Sequence, residues 1–409
     1  MKTLVRNSGR SRSEKGFTLI ELMVSMAIFL VVSGAAFRLF SMQQNSASML
    51  RDQTGLNLGL RNALTQLELD VSNAGSGYFQ GVNIPSWPVG VTISNNVIAT
   101  GSTCYSSTTA TYGPTCFDHL NVIAAAAPAT YPPTNLTDST GGTSPTLNCS
   151  NTSTGVAYLQ KAVVNGTTWT LANTAAAFVK GDQLLLVNST GSELTTVVLT
   201  ANAAVSGSAV KLTFNATNSD GSNSVANDPL DISACDGNTP CTAGNKQGVQ
   251  YCAADWAIKL APISYMVCAG PGSPAPCDQS TTSPDIQDPK LERVQNGTAS
   301  VVMEQIVGFR VGATIYNASK DNSTDSYQYN SACYSTTPNP DIPSPVTGSC
   351  TTDVPYNFTV VRSVRASIIA RTTPNWNAAY TYRNTFDNGP YQIQGMAVVV
   401  NPRNMSMND

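Results

Sequence analysis

The sequence predicts an α+β fold in which a long N-terminal helix packs on an antiparallel β-sheet head with large loop insertions. Residues 17–37 form an apolar run with one charged residue, Glu21, which favours a helix whose first half spans a membrane. An apolar stripe with helical spacing follows between residues 56 and 71. From residue 76 onwards, β-rich runs alternate with loops rich in Ser, Thr, Asn and Gly, a pattern typical of strands joined by turns.

The first 16 residues form a basic leader that fixes the expected orientation in a membrane. They contain five Lys or Arg residues and one Glu. The apolar run, as a helix, would be about 31 Å long, which matches the hydrocarbon core of a bilayer. Because Lys and Arg stay on the cytoplasmic side, we expect the leader in the cytoplasm and everything after residue 40 outside the inner membrane.

The composition argues against a nucleic-acid partner. The formal net charge is −3, only 11% of residues are charged, and no basic cluster follows the leader. Proteins that bind nucleic acid concentrate Lys and Arg on one face, and the sequence after the leader contains no such concentration. The hydrophobic fraction of 41% is sufficient for a folded core.

The helix is predicted to continue beyond the membrane as an amphipathic segment that ends at Asn73–Gly77, where glycines favour a helix stop. Its main stripe lies within an arc of about 80°, and we interpret it as the face that docks on the protein's own sheet. A second stripe on the far side either contacts neighbouring molecules or also belongs to the core. The main stripe contains Leu56, Leu60, Leu64, Leu67 and Val71, and the second contains Leu58, Thr65 and Leu69.

Four segments of the head predict strands. Residues 178–203 read as a hairpin of two β-rich runs, and residues 305–317, 358–372 and 391–401 as single strands. In the third segment, Val364, Ala366, Ile368 and Ala370 should face the core, while Arg365, Ser367, Ile369 and Arg371 should face partly towards water. Residues 131–155, 270–290 and 318–356 are rich in Pro, Ser, Thr, Asn and Gly and are predicted to be loops or insertions.

Glu21 is the unusual residue of the apolar run. An ionisable group inside a membrane costs about 2 to 3 kcal/mol and usually has a partner. A cut between Gly16 and Phe17 would create that partner, because the new α-amine, with a pKa of about 8, would be a cation one helical turn from Glu21. Ser33–Ala36 offers an alternative small-residue site for ordinary secretory cleavage.

The stretch Gly16-Phe17-Thr18-Leu19-Ile20-Glu21 resembles the type IV prepilin class III signal. The resemblance implies cleavage after Gly16 by the prepilin peptidase and methylation of the Phe17 amine by the same enzyme. Subunits of this class then leave the membrane and pack helix to helix, with Glu21 neutralising the Phe17 amine of a neighbour. In the alternative, Glu21 is satisfied within its own helix by the amine of its own Phe17, four residues earlier. The implied division is a cleaved leader (1–16), a transmembrane and assembly helix (17–38), an amphipathic continuation (39–75) and an exported, disulfide-bonded head (76–409).

Four later phrases resemble PilW-type minor pilins in their order along the chain. They are "RNALTQLELDVSNAGSGYF", "GDQLLLV", "VGFRVGATI" and "VRSVRASIIART". The resemblance implies a minor pilin that acts in pilus assembly initiation or at the pilus tip. Its implied partners are other major and minor pilins, the inner-membrane assembly platform and a tip adhesin protein. The alternatives are a J-type pseudopilin of a type II secretion system and an adhesin carried on a pilin stalk.

All ten cysteines lie in the predicted exported part, where an even number favours disulfides. Short separations suggest four pairs, and the two remaining cysteines would then pair across the fold. A zinc site is the alternative, but the chain has one histidine, His119, and no pair of cysteines in CxxC spacing. The suggested pairs are Cys104 with Cys116, Cys235 with Cys241, Cys268 with Cys277, Cys333 with Cys350, and Cys149 with Cys252.

No pattern in the sequence predicts an enzyme or a cofactor. Asp118 and His119 could join one of many serines in a triad, but a serine-rich chain permits this by composition alone, so we expect His119 on a strand or turn near Cys116. Two groups of aspartates lack the spacing of a calcium loop and are predicted to be solvated turn residues. They are Asp321 and Asp325, and Asp228, Asp231 and Asp236.

Overall fold

A computed structural model describes the chain over thirteen stretches. They are residues 18–77, 90–94, 105–106, 111–126, 130–189, 194–215, 250–295, 297–317, 322–324, 360–375, 382–386, 388–402 and 404.

Within these ranges the chain forms two α-helices, α1 (Leu19–Ser72) and α2 (Leu171–Ala176). The strands are β1 (Val91–Ser94), β2 (Tyr105–Ser106), β3 (Thr111–Tyr112), β4 (His119–Ala125), β5 (Thr134–Thr137), β6 (Cys149–Asn151), β7 (Val156–Leu159), β8 (Val163–Val164), β9 (Thr167–Thr168), β10 (Gln183–Val187), β11 (Leu194–Val198), β12 (Ala204–Ser206), β13 (Ala209–Thr213), β14 (Gln250–Cys252), β15 (Trp256–Cys268), β16 (Lys290–Gln295), β17 (Thr298–Met303), β18 (Ile306–Asn317), β19 (Asn322–Thr324), β20 (Val360–Arg371) and β21 (Ile393–Val400).

The chain divides into two compact units, one up to Gly55 and one from Leu56 onwards. In the first unit, helix α1 begins at Leu19 and the large apolar side chains from Leu19 to Phe40 are each more than half exposed. The second unit contains the rest of α1 and every strand. An α+β fold with a long N-terminal helix and an antiparallel β-rich region is therefore confirmed.

The part of α1 in the second unit packs by its main stripe into the largest of three apolar clusters in the described residues. Leu60, Leu67 and Val71 are fully buried and belong to one apolar cluster with residues of β1, β4, β15, β18 and β20. The second stripe lies on the opposite side, where Leu58 and Leu69 are 59% and 55% exposed. The docking of the main stripe is confirmed, and the alternative that both stripes belong to the core is wrong.

The largest sheet has eleven strands in the described residues, and β15 organises it. Trp256 and Ala257 pair with β5, and Trp256 to Lys259 pair with β10. Further along, β15 pairs with β4 and β16 instead. Pro262 lies between the last residue paired with β10 and the first paired with β16, so its missing N–H falls where the strand partner changes.

A second sheet has the order β19-β18-β20-β21 and contains three of the predicted strands. All pairs are antiparallel. The predicted core face of β20 is confirmed, since all four of its residues are fully buried. They are Val364, Ala366, Ile368 and Ala370. The predicted hairpin is also confirmed, because β10 pairs with β11 antiparallel with Val187 opposite Leu194.

Arg371 departs from the prediction because it is buried rather than partly wet. Its Nε donates to Gln305 Oε1 at 2.7 Å and its Nη2 donates to the Gln287 carbonyl at 2.8 Å. The guanidinium also lies 4.8 Å from the ring centre of Tyr391. Hydrogen bonds and the aromatic face together replace water around this charge.

The prediction that residues 131–155 form a loop is wrong in part, because β5 and β6 lie within that range. Thr134, Thr137 and Ser150 are buried there, and each hydroxyl donates to a backbone carbonyl. Buried hydroxyl groups are tolerated when they are hydrogen-bonded, so a polar composition did not prevent strand formation. Residues 270–290 do form turns and one short 3-10 helix, and nearly all of 318–356 lies outside the described residues.

Within the described residues, two of the five predicted disulfides are present. Cys149 and Cys252 join β6 to β14 directly across a two-stranded sheet, at a sequence separation of 103. Cys268 joins the end of β15 to Cys277 nine residues later. Cys116 is also disulfide-bonded. The other five, Cys104, Cys235, Cys241, Cys333 and Cys350, lie outside the described residues.

Candidate functional site

The first turn of α1 holds Glu21 in a reciprocal arrangement with Thr18. The Thr18 backbone N–H and hydroxyl donate to Glu21 Oε2 at 3.0 and 2.9 Å, and the Glu21 N–H donates to Thr18 Oγ1 at 3.3 Å. This is a capping box, in which the N-cap residue and the third helical residue satisfy each other's backbone donors. The carboxylate also lies at the positive end of the helix dipole, which favours its negative charge.

Both hydrogen bonds from Thr18 end on the same carboxylate oxygen. Within the described part of the chain, Glu21 Oε1 accepts no hydrogen bond. The local arrangement thus stabilises one half of the charge and leaves the other oxygen able to accept from another group. Thr18 thus satisfies Glu21 in part within its own helix. The alternative of pairing with the amine of its own chain involves Phe17, which lies outside the described residues.

The surface around this turn is apolar and unburied. Leu19, Ile20 and Phe29 are 79%, 71% and 69% exposed. One helix in the described residues, α1, is long and apolar enough to cross a membrane by length and composition. Soluble proteins rarely expose continuous apolar surface of this size, so the segment requires lipid or other apolar helices around it.

The docked part of α1 carries a second carboxylate, Asp70, which is buried in the second unit. Arg293 of β16 approaches it from Nε at 2.6 Å and from Nη2 at 3.2 Å, and Tyr265 of β15 donates its hydroxyl at 2.5 Å. Burial, with the Asp70 carboxylate beside it, raises the pKa of Tyr265, and the hydrogen bond to Asp70 raises the pKa of Arg293. The tyrosine stays a donor and the arginine stays charged, so the cluster fixes the helix to the sheet.

The residues of the discounted triad have other partners. Asp118 is buried and accepts from Arg310 Nη1 at 2.7 Å and from the Val311 N–H at 3.0 Å. His119 lies on β4, as predicted, and burial lowers its pKa. Asp118 therefore connects the residue before β4 to β18 through these hydrogen bonds. An isolated β-bridge between Phe117 and Phe309 lies beside them.

Gly16 and Phe17, the predicted processing residues, lie outside the described residues, as do the five aspartates considered for calcium. The role of Thr18 was not predicted, although the spacing Thr-x-x-Glu before an apolar run is the signature of a capping box. The Asp70 cluster was not predicted either. Three side chains that are distant in sequence build that cluster, so no local pattern announces it.

The comparisons with known proteins identify one feature of the chain. Residues 11–37 match the family described as the prokaryotic N-terminal methylation motif. No curated protein and no solved structure matches the chain significantly. The matched segment contains Gly16, Phe17 and Glu21 and continues into the exposed apolar helix.

The motif and the helix that follows it support one class of protein. Residues 11–37 carry a class III signal, which supports a type IV pilin-like or pseudopilin-like protein. This signal implies processing by the prepilin peptidase and partners of the pilin type, and with the apolar helix it indicates anchoring in a membrane.

Proposed function

We propose that the protein is a minor pilin of a type IV pilus, which enters the filament by its N-terminal helix and takes part in assembly initiation or in the pilus tip. The observation that carries the proposal is the methylation motif at residues 11–37, continued by a helix whose large apolar side chains from Leu19 to Phe40 are each more than half exposed. Its head would lie in the periplasm before assembly and at the cell surface afterwards. The proposal includes no enzymatic activity.

The geometry of Glu21 supports an assembly role. After cleavage the Phe17 amine of a neighbouring subunit would be a cation, and Oε1 of Glu21 is the carboxylate oxygen that Thr18 does not occupy. In an environment without water an unpaired charge is strongly unfavourable, so one amine per carboxylate sets the axial register of the helices. Thr18 would stabilise the carboxylate while the subunit waits in the membrane.

Replacing Glu21 by Ala tests this role. The variant is expected to lose its leader normally, because cleavage precedes assembly, but to be absent from filaments sheared off the cells. Glu68→Ala is the matched control, since Glu68 is an exposed glutamate further along the same helix. Immunoblots of membrane and sheared fractions give both readouts. Normal amounts of Glu21→Ala in the filaments would contradict the pairing.

A J-type pseudopilin is the competing assignment, because it has the same signal and helix. We favour a pilus because the unit from Leu56 to Asp409 is larger than the head we expect of such a pseudopilin. Deleting the gene in its native host should reduce surface filaments and leave protein secretion unchanged. The opposite result would assign the chain to a secretion system.

A further inference from the structure

A cleft of about 410 Å³ opens on the second unit where three chain segments meet. One segment leads into β5, the second is the start of β15, and the third runs through β8 to its turn. The cleft falls within the range of about 300 to 1,000 Å³ in which proteins bind small ligands. The functions assigned above do not use it.

The framework of the cleft is held by backbone pairing. Trp256 pairs with Asn135 between β15 and β5, and the Thr134 hydroxyl donates to the Pro132 carbonyl at 2.8 Å. The β8–β9 hairpin borders the opening through Asn165 and the adjacent glycine, which have φ angles of 48° and 77°. Two successive positive φ angles are typical of a tight two-residue hairpin turn, which makes this border well defined.

The lining combines apolar and amide side chains. Asn135 and Asn165 carry the amide groups, and Nδ2 of Asn135 also donates to the Asp255 carbonyl at 3.4 Å. The apolar members are Pro132, Pro133, Ala162, Val163, Val164 and the partly exposed Trp256. Amides both donate and accept hydrogen bonds, and an aromatic ring offers a flat surface for C–H groups. A ligand that fits this lining has an apolar face and several hydroxyl groups.

The charge of the lining comes from Lys161 alone. The lining contains no carboxylate, and Lys161 takes no part in the four ion pairs of the described residues. Lys259 lies three residues after Trp256 on β15. Its Nζ instead forms an ion pair with Asp182 Oδ2 at 2.8 Å and lies 3.7 Å from the centre of the Tyr131 ring. An unpaired ammonium group beside a cleft of an acidic protein selects an anionic group on the ligand.

We propose that this cleft binds an acidic sugar unit of a polysaccharide. The ring face of the sugar would lie on Trp256 and the prolines, its hydroxyls would exchange hydrogen bonds with Asn135 and Asn165, and its carboxylate would meet Lys161. An acidic peptide also carries carboxylates. It lacks a sugar ring that has both an apolar face and several hydroxyl groups, so the sugar fits the lining better. This binding activity goes beyond the minor pilin function and does not depend on it.

Ligand-observed NMR on the full-length, oxidised protein in detergent tests the proposal with digalacturonate as the probe and digalactose as its neutral counterpart. Digalacturonate is expected to bind saturably and more tightly than digalactose. Lys161→Met should weaken binding by about tenfold or more, because a charge-assisted contact is lost while the aliphatic stem remains. Lys180→Met, at an exposed lysine outside the cleft, should leave binding unchanged.

Three outcomes would overturn the assignment. They are equal binding of digalactose, unchanged binding by Lys161→Met, and binding of an Asp-rich hexapeptide in place of digalacturonate. A Trp256→Phe variant serves as a second check, because it keeps an aromatic ring in the core contact but presents a smaller face. It should weaken digalacturonate binding, and normal binding would contradict the stacking role. None of these results bears on filament incorporation, so failure here is distinguishable from failure of the proposed function.

Discussion

The Glu21 carboxylate and the Asp70 carboxylate both lie on α1, and each has a different set of partners. Glu21 uses local groups, since Thr18 donates both its N–H and its hydroxyl to one carboxylate oxygen. Asp70 uses groups that are distant in sequence, Arg293 and Tyr265. The local arrangement leaves an oxygen for another molecule, whereas the distant one encloses its charge within the fold. The Glu21 carboxylate is therefore suited to contact with another subunit, and the Asp70 carboxylate to stabilising the fold.

Asp70→Ala is expected to lower the free energy of unfolding by about 3 kcal/mol, because Arg293 would remain largely buried without its counter-ion. Urea denaturation of the full-length, oxidised protein in detergent measures this loss. Glu68→Ala is the control on the same helix, and because Glu68 is exposed its effect should stay within about 0.5 kcal/mol. Equal effects of the two substitutions would show that the Asp70 cluster does not fix the helix to the sheet.

At the scale of elements, α1 presents two different faces in the second unit. Leu60 is fully buried against the sheets, while Leu58, two residues away, is 59% exposed. Gly59 lies between them, and a Cβ at this position would be 3.2 Å from Met303 Cε. The absence of a side chain at Gly59 therefore leaves room for the end of the Met303 side chain against the helix, where glycine otherwise has a low helix propensity.

The two faces should respond differently to truncation. Leu60→Ala is expected to lower the free energy of unfolding by about 2 to 5 kcal/mol, since it leaves a cavity in the core. Leu58→Ala should change it by less than about 0.5 kcal/mol, because its side chain already contacts solvent. Thermal unfolding of the two variants, compared under the same conditions, measures the difference. A comparable loss for Leu58→Ala would mean that the outer face is not free.

The sequence predicted those elements whose apolar pattern is local and strong. The docking stripe of α1, the hairpin of β10 and β11, and the long strands β18, β20 and β21 all carry helical or β-rich patterns. The central strand β15 was not predicted, because Pro262 interrupts its pattern and only the change of strand partners makes that proline acceptable. Strands β5 and β6 were missed because buried, hydrogen-bonded hydroxyls resemble loop composition.

At the scale of the whole molecule, the chain combines a signal, an exposed apolar helix and a separate β-rich unit. The described residues of the second unit contain three apolar clusters, and a disulfide between Cys149 and Cys252 joins strands beside the second largest, to which Tyr251 belongs. Such disulfides persist in oxidising compartments, which agrees with the proposed export of the second unit. The motif at residues 11–37 is the part of this account that connects the molecule to a pathway, because it implies cleavage and methylation.

The N-terminus of the mature protein, determined by intact-mass and peptide mass spectrometry on material isolated from native membranes, tests this account most directly. We expect the chain to begin at Phe17 with one methyl group on its amine, and Gly16→Val to retain the leader. A mature protein that begins at Met1, or beyond Ala36 after ordinary secretory cleavage, would contradict this pairing. In the first case Phe17 has no free amine, and in the second Glu21 is removed with the signal.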